Sequence, residues 1–421
     1  MTELTVSSKL GLAAEPKARV TNESPLTPLP REIALLEGMR VWAEIDLDRL
    51  AANIRALKQQ AGEARLMVVV KANAYGHGAI ETGLEAIQAG AWGLGVAGLE
   101  EGDELRRAGV VAPILVLSST RPAQAHALVQ RDLRVTVADQ EMGRALSKAA
   151  QELGHTARVH VKVETGMNRF GLKVDDAVAL AEALRDMPGI EVEGVSSHLA
   201  MADDESKVFT FQQYKAFRQA LTRLDWIPIA HISNTAALLD MPEMNMGLVR
   251  GGIGVYGLFT SKHVKHNLPL QPVLSLRSRV ARVAELQPGE GVSYGMTWHA
   301  EKPSTVALVL AGYGDGLRWS MGNKGVALVR GRRVPYAGRV MMDMLVLDVT
   351  GVPGVAVDDE VTLLGSQGKE TIDADEMAEY AGTINHEILT GLMERVPRLY
   401  IRDGRIVARQ DLTGMRRALL S

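Results

Sequence analysis

Between residues 66 and 256 eight short apolar runs alternate with longer segments of helical period, and this alternation narrows the fold more than any other feature. The runs are Leu66–Val70, Trp92–Ala97, Ile114–Ser118, Arg134–Ala138, Arg158–Val163, Ile190–Val195, His231–Asn234 and Leu248–Tyr256. Helix-like stretches such as Pro122–Gln130, Asp175–Arg185 and Lys207–Leu224 lie between them. Eight strands separated by helices, over a span near the usual ~250 residues, predict a closed parallel (β/α)8 TIM-like barrel rather than an open sheet. Trp42–Leu47 is then surplus to the barrel and available to pair elsewhere. Past residue 265 the texture changes. Leu274–Leu286 alternates apolar with polar residues, and Thr305–Leu310, Gly325–Arg330, Met344–Val349 and Glu360–Leu364 are separated by Gly and Pro turns. That pattern predicts a mainly antiparallel β-domain, helical only at Asp373–Ala381 and Asn385–Glu394. The expected class is α/β, divided into an extra tail over 1–40, a barrel over 41–262 and a β-strand-rich domain over 263–421 that could also recruit strand 42–47.

Composition removes several function classes. With 421 residues, 46% hydrophobic and 23% charged, the chain can bury two cores. A net charge of -3 gives no general attraction to nucleic acid or anionic lipid. The absence of cysteine removes disulfides, thiol catalysis and thiolate metal sites. The ten histidines are scattered without an HExxH pair, so no metal is expected. The first forty residues mix Ser, Thr, Pro and charges and lack the apolar stretch of a signal peptide. They predict a loosely docked tail, hinged at Pro25–Pro30, on a cytoplasmic protein. No run of about twenty apolar residues occurs, so no membrane span is expected.

The residues closing the predicted strands carry the chemistry. Val68-Val69-Val70 ends on Lys71, whose ammonium among Val, Ala and Gly would be poorly solvated. A lysine kept neutral can condense with an aldehyde, whereas one that leaves the sheet for solvent has no such role. Gly247-Leu248-Val249-Arg250-Gly251-Gly252-Ile253-Gly254 closes the eighth strand, where backbone N–H groups commonly bind phosphate, and Asn234-Thr235 can add an amide and a hydroxyl. Tight strand–helix packing would also account for those glycines. Arg169, in the turn Glu164–Gly171, offers a fork for carboxylate or phenolate oxygen, or sits in a surface turn. His198 follows the next strand, as a proton carrier or as a hydrogen-bonded structural histidine.

As a set and in this order, these motifs resemble the alanine racemases, fold-type III pyridoxal-phosphate enzymes, from about Val41 to the C-terminus. Val-Val-Lys-Ala-Asn-Ala-Tyr-Gly-His-Gly at 69–78 resembles the cofactor-lysine signature, Ala43–Leu47 the opening strand and Thr165–Gly171 the carboxylate-arginine turn. Gly291–Gly295, Gly312–Gly316, Gly338–Asp343 and Arg395–Arg398 resemble signatures of the second domain. The resemblance implies that Lys71 holds the aldehyde of pyridoxal 5'-phosphate, with Tyr75, Asn234, Thr235, Gly252 and Ile253 around the phosphate and Arg250 donating to the pyridine nitrogen. An arginine there would keep that nitrogen unprotonated and the cofactor a weak electron sink, which suits racemisation over transamination. It implies two bases, Lys71 and Tyr294, on opposite faces of Cα, with His198 and Arg250 in a hydrogen-bonded chain that assists Tyr294. Arg169, Met342 and Asp343 would meet the substrate carboxylate, Tyr313 and Arg318 line the entrance, and Lys162 matches a lysine often carried as a carbamate.

Because Tyr294 and Lys71 lie in different domains, the resemblance further implies a head-to-tail homodimer with composite sites. Three departures stand out: Glu394 where some members carry a phosphate-directed tyrosine, His386 in place of a usual tyrosine, and the tail. The function implied is interconversion of L- and D-alanine, supplying D-alanine for peptidoglycan. A same-fold racemase for serine or a basic amino acid is the enzymatic alternative, and a non-catalytic carrier of pyridoxal phosphate the alternative of another class.

Overall fold

A computed structural model describes residues 38–417 of the chain. The predicted tail and its Pro25–Pro30 hinge lie, except for its last three residues, outside the described residues. Eight parallel strands form one sheet in the order β8-β7-β6-β5-β4-β3-β2-β9. They are β2 Arg65–Val69, β3 Gly93–Val96, β4 Ile114–Val116, β5 Arg134–Val137, β6 Ala157–Lys162, β7 Ile190–Ser196, β8 Ile229–His231 and β9 Leu248–Gly251. Their near-continuous apolar burial is what a parallel sheet covered on both faces requires. β2 pairs with β9 from Arg65↔Leu248 to Val68↔Gly251, and the seam between β8 and β9 is bridged by Arg250 N–H to Ser233 O at 3.1 Å. The sheet therefore closes on itself, and its strand ends converge on one mouth.

Two expected boundaries shift. The eighth run ends as a strand at Gly251 and continues as a 3₁₀ turn over Ile253–Tyr256, because Gly252 (φ -104°, ψ -112°) breaks the extended path. The seventh strand stops at His231, since Asn234 is already the cap of the helix Thr235–Asp240 and accepts from Ala237 N–H at 3.1 Å.

Trp42–Leu47 finds its partners far away in sequence. β1 (Val41–Asp46) lies between β10 (Leu274–Leu286), antiparallel, and β19, parallel, in the sheet of the second domain. Asp46 then caps the helix Leu47–Ala61, which turns Leu50, Ile54 and Leu57 into the barrel. β10 alternates buried and half-buried residues over its first half and shifts register between Val280 and Arg282, passing from β1 and β17 to β13. The remaining elements are β11 Gly291–Val292, β12 Trp298–His299, β13 Ser304–Val309, β14 Val326–Val329, β15 Arg332–Pro335, β16 Leu345–Asp348, β17 Glu360–Gln367, β18 Glu370–Ile372, β19 Arg398–Arg402, β20 Arg405–Asp411 and β21 Gly414–Arg417. The helix expected over Asn385–Glu394 ends at Thr390, and the chain turns so that Arg398 can reach back to it. Among the described residues no helix is long and apolar enough to cross a membrane.

Arg398 ties the two sheets together. Buried in β19, it donates to Gly76 O in the barrel at 3.2 Å and to Leu392 O, Met393 O and Val396 O at 2.8–3.0 Å. Replacing it with alanine removes the donors from these four carbonyls and from Glu394 O, 3.4 Å away, at once. Arg398→Ala should therefore cost at least ~3 kcal/mol, a fall of roughly 6 °C or more in apparent melting temperature at about 2–4 °C per kcal/mol. A fall under about 2 °C in a thermal melt would mean that those carbonyls find other partners.

Candidate active site

The C-terminal ends of the barrel strands surround a cavity of about 490 Å³, ample for a cofactor with a small substrate. It collects Lys71, Tyr75, Lys162, Arg169, His198, Asn234, Thr235, Arg250, Gly252 and Ile253, all of them singled out from sequence.

Lys71 follows β2 by two residues and opens an uncommon piece of backbone. Ala72, Asn73, Ala74 and Tyr75 have φ of 52–53°, a left-handed turn built without glycine. Three side chains hold it. Glu101 accepts from Ala72 N–H at 2.8 Å and from Ala97 N–H at 2.6 Å, Asn73 Oδ1 accepts from Ala79 N–H at 2.8 Å, and Arg398 holds Gly76 O. Burial lowers the Lys71 pKa from the ordinary 10.5, the Arg169 charge lowers it further, and Glu101 offsets part of this. A larger fraction of neutral amine is thereby present near neutrality than for a surface lysine.

The far end of the cavity is a donor set. Thr235 Oγ1 accepts from Gly252 N–H at 2.9 Å, which leaves its own O–H as a donor, and Asn234 spends its carbonyl oxygen on the helix cap, which leaves its Nδ2 hydrogens. Tyr75 stacks on Tyr256 with ring centroids 4.8 Å apart, and burial pushes its pKa up to about 12, so its hydroxyl stays protonated. A Cβ on Gly252 would sit 3.0 Å from that hydroxyl; glycine keeps the approach open. These hydroxyl and amide donors and a lysine of lowered pKa in one cavity fit the phosphate and the aldehyde of pyridoxal phosphate.

Arg250 rises from β9 into the cavity wall, buried. Its Nη atoms donate to His231 Nδ1 at 2.6 Å, Ser197 O at 2.9 Å, Ile232 O at 3.0 Å and His198 Nδ1 at 3.0 Å. Burial, then Arg169, lower its pKa to about 10, still a cation at neutral pH. An arginine only donates, so both imidazoles meet it through a lone pair, and neutral His198 must carry its proton on Nε2. Burial and the neighbouring cations Arg250, Lys162, Arg169 and Lys71 hold His198 well below its usual range. Lys162, at the end of β6, is also held well below the ordinary lysine value, by burial first and then by Arg250 and Arg169. Arg169 stands in a turn braced by Glu164, whose carboxylate accepts from Gly166 N–H at 2.5 Å and from Arg169 N–H at 3.3 Å.

The remaining predicted residues lie elsewhere. Tyr294 is 71% exposed and Met342 54% exposed, and neither they nor Tyr313, Arg318 and Asp343 line the cavity. They gather around the segment 338–343: Ser293 Oγ donates to Arg339 O at 2.7 Å, and Tyr313 and Gly314 N–H donate to Met341 O and Met342 O at 2.9 and 2.8 Å. Buried Asp315 fastens this loop pair through Arg40 and through Arg395, which also donates to Asp343 Oδ1 at 2.8 Å. Arg318 donates to Glu387 O at 2.5 Å and so lies against the helix that carries His386.

His386 does enter the cavity, its ring centroid 6.0 Å from that of Tyr75, with its pKa lowered by burial and then by Lys71. Glu394 is exposed and does not line the cavity. Sequence reasoning missed Glu101, whose only cue was an acid in the first turn of the next helix, and the buried His160 and His231. Their cue was a histidine inside each of two apolar strands.

Both halves of the chain match family models: one described as alanine racemase, N-terminal domain, over residues 45–260, the other as alanine racemase, C-terminal domain, over 273–400. A protein named alanine racemase from Desulfosudis oleivorans is 42% identical over 87% of this chain and 97% of its own length, and one from Symbiobacterium thermophilum 44% identical over 87% and 98%. Among solved structures, alanine racemase from Clostridium difficile superposes with a TM-score of 0.85 at 32% identity, over 89% of this chain and 98% of its own. The enzyme from Bacillus anthracis with bound L-Ala-P gives 0.83 at 36%, with the same coverage.

The lowered pKa of Lys71 has a measurable sign. Capture of pyridoxal phosphate by the cofactor-free protein should speed up with rising pH as the ammonium loses its proton, and level off with a midpoint below 10.5. A midpoint at or above that value would refute the desolvated lysine. Borohydride reduction followed by peptide mapping should place the cofactor mass on Lys71 alone.

Proposed function

The chain belongs to the alanine racemase family, and from that membership and the cavity we infer how its residues divide the work. It is a pyridoxal-phosphate-dependent isomerase that interconverts L- and D-alanine, and the product it supplies is the D-alanine of peptidoglycan in the cytoplasm. When bound, pyridoxal phosphate withdraws electrons from Cα of an amino acid joined to its aldehyde carbon. The observation that carries the reading is the cavity itself: a lysine of lowered pKa, a donor set for phosphate and two arginines converge there.

Lys71 binds the aldehyde and, once released by substrate, takes or returns a proton through Nζ on one face of Cα. Tyr75, Asn234, Thr235, Gly252 and Ile253 hold the phosphate. Arg250 would donate an N–H to the pyridine nitrogen; it does not part with its proton, so it would polarise the ring only weakly. Arg169 pairs with the substrate carboxylate, and Lys162, whose pKa burial and the neighbouring Arg250 and Arg169 hold well below the ordinary lysine value, suits conversion to a carbamate that would brace Arg169.

The second face needs a group this cavity lacks. Tyr294 is the candidate, presented on an exposed loop beside Met342, Asp343 and Tyr313. Seated against a second copy, Tyr294 of the partner subunit would meet the Nε2–H of His198, a donor that favours the phenolate. The protein is then a homodimer with two shared sites, Tyr313 and Arg318 near the way in and Met342 and Asp343 beside the carboxylate. A panel of L-alanine, L-serine, L-lysine and L-arginine followed by polarimetry tests the substrate directly; alanine should lose optical activity fastest, and no loss with any of them would reject a racemase.

Two predictions test the shared site. Lys71→Ala and Tyr294→Ala proteins, each inactive, should regain part of the activity when their subunits exchange, and confirmed exchange without recovery would exclude it. Tyr294→Phe should keep the cofactor and lower racemisation by at least ~10²-fold, the lower end of what a positioned acid or base contributes. In deuterated water that variant should still exchange the α-proton of D-alanine faster than it racemises. Near-normal racemisation would remove Tyr294 from the reaction.

A further inference from the structure

Behind Arg250 a line of polar side chains crosses the barrel core. His231 Nε2 lies 2.8 Å from His160 Nδ1, His160 Nε2 lies 3.0 Å from Glu193 Oε2, and Arg134 Nε reaches both oxygens of Glu193 at 3.0 and 3.2 Å. The two imidazoles are fully buried. Burial holds both below the usual histidine range. Each neutral ring carries one proton, and the two ends of the line permit only one arrangement. Arg250 can only donate and the carboxylate of Glu193 can only accept. Hence Arg250 Nη1–H points to His231 Nδ1, His231 Nε2–H to His160 Nδ1, and His160 Nε2–H to Glu193. Every bond from Arg250 to Glu193 runs the same way, and Arg134 donates to that carboxylate from the far side.

The backbone is shaped to admit this line. A Cβ on Gly194 would fall 2.2 Å from His160 Nδ1, so the ring occupies the space a side chain would take, and the β6–β7 register shifts between Val159 and His160. Arg250 is held at Nη2 by Ser197 O, His198 and Ile232 O and at Nη1 by His231, and among the described residues no bond is recorded at Nε.

We propose that His160 and Glu193 are positioning residues for Arg250: their one-way line holds the His231 ring as an acceptor, which fixes the guanidinium so that Nε–H faces the cavity. The proposal rests on the reading of Arg250 as the partner of the pyridine nitrogen. Neither residue touches the cavity, and neither transfers a proton.

Two amides at His160 cut the line on opposite sides. Asparagine can place an oxygen near the position of Nδ1 and keep an acceptor for His231, while losing Glu193. Glutamine can reach Glu193 with its NH2 and leaves His231 Nε2–H without its acceptor. The readout is the Arg250 Nε–H resonance of ¹⁵N-labelled full-length protein, with and without cofactor, identified by its loss in Arg250→Lys. It should be sharp in the parent and in His160→Asn and exchange-broadened in His160→Gln. With it, kcat of His160→Gln should fall roughly 10-fold or more, as at outer-shell partners of metal-bound histidines, with KM for alanine within about 2-fold, and His160→Asn should recover most of kcat. A role in packing alone would affect both amides alike.

An unchanged Nε–H signal in His160→Gln overturns the proposal whatever the activity does. A broadened signal with unchanged kcat and cofactor affinity would instead uphold the line and reject Arg250 as the ring partner. Should His160→Gln not fold, Glu193→Leu removes the carboxylate that fixes the proton on His160 Nε2, so that the ring, unlike an asparagine oxygen, can take its proton on Nδ1 and cease to accept from His231. It should broaden the same resonance, and a sharp one there counts against the proposal equally.

Discussion

Four consecutive left-handed residues without a glycine are the constraint around which this molecule is organised. Each costs about 1–2 kcal/mol relative to ordinary helical backbone, so the turn over Ala72–Tyr75 persists only because the surroundings over-determine it. Its restraints come from three directions: Glu101 from the neighbouring βα unit, Asn73 from within the turn, and Arg398 from the second domain. The turn directs both Lys71 and Tyr75 to the cavity, Tyr75 beside Gly252, so one short stretch of main chain sets their spacing. The β-domain thus contributes to the barrel's own site even before a second subunit is considered.

The second theme is the handling of positive charge. Lys71, Lys162, Arg169 and Arg250 share one cavity, and a phosphate with a carboxylate is the natural complement to such a set. The histidines that touch or approach Arg250 are kept neutral by burial first and by the same crowding second. Neutral imidazoles accept from the arginine instead of repelling it, so the buried cluster keeps its hydrogen-bond partners in the right form.

Much of this was legible in the sequence. Seven of the eight barrel runs cover all or nearly all of their strand, the seventh run meets its strand only at His231, and β10 spans the alternating stretch from Leu274 to Leu286, because period and apolar length report burial directly. The motif-borne residues of the barrel mouth likewise fall into one cavity. The strands β19 to β21 were not legible. Arg398–Arg402 and Arg405–Asp411 are rich in charge, and their pairing depends on β1 and on a turn in which Asp403 and Gly404 both have positive φ. That Asp-Gly pair was the available cue. Glu101 and the line through His160 escaped for a different reason. Their partners are backbone amides and buried atoms brought near by barrel closure, and no spacing along the chain encodes that.

The place of β1 has a consequence for how the chain is made. Ala43 pairs with Leu276 on one side and with Arg398 on the other. At ~5–20 residues per second, the ribosome delivers that last neighbour roughly 20–70 s after β1 itself has emerged. For that interval one edge of the opening strand stands open, competent to pair with any other nascent copy. The barrel strands all emerge before β10 does, and the sheet of the second domain is completed only when the beginning and the end of the chain meet.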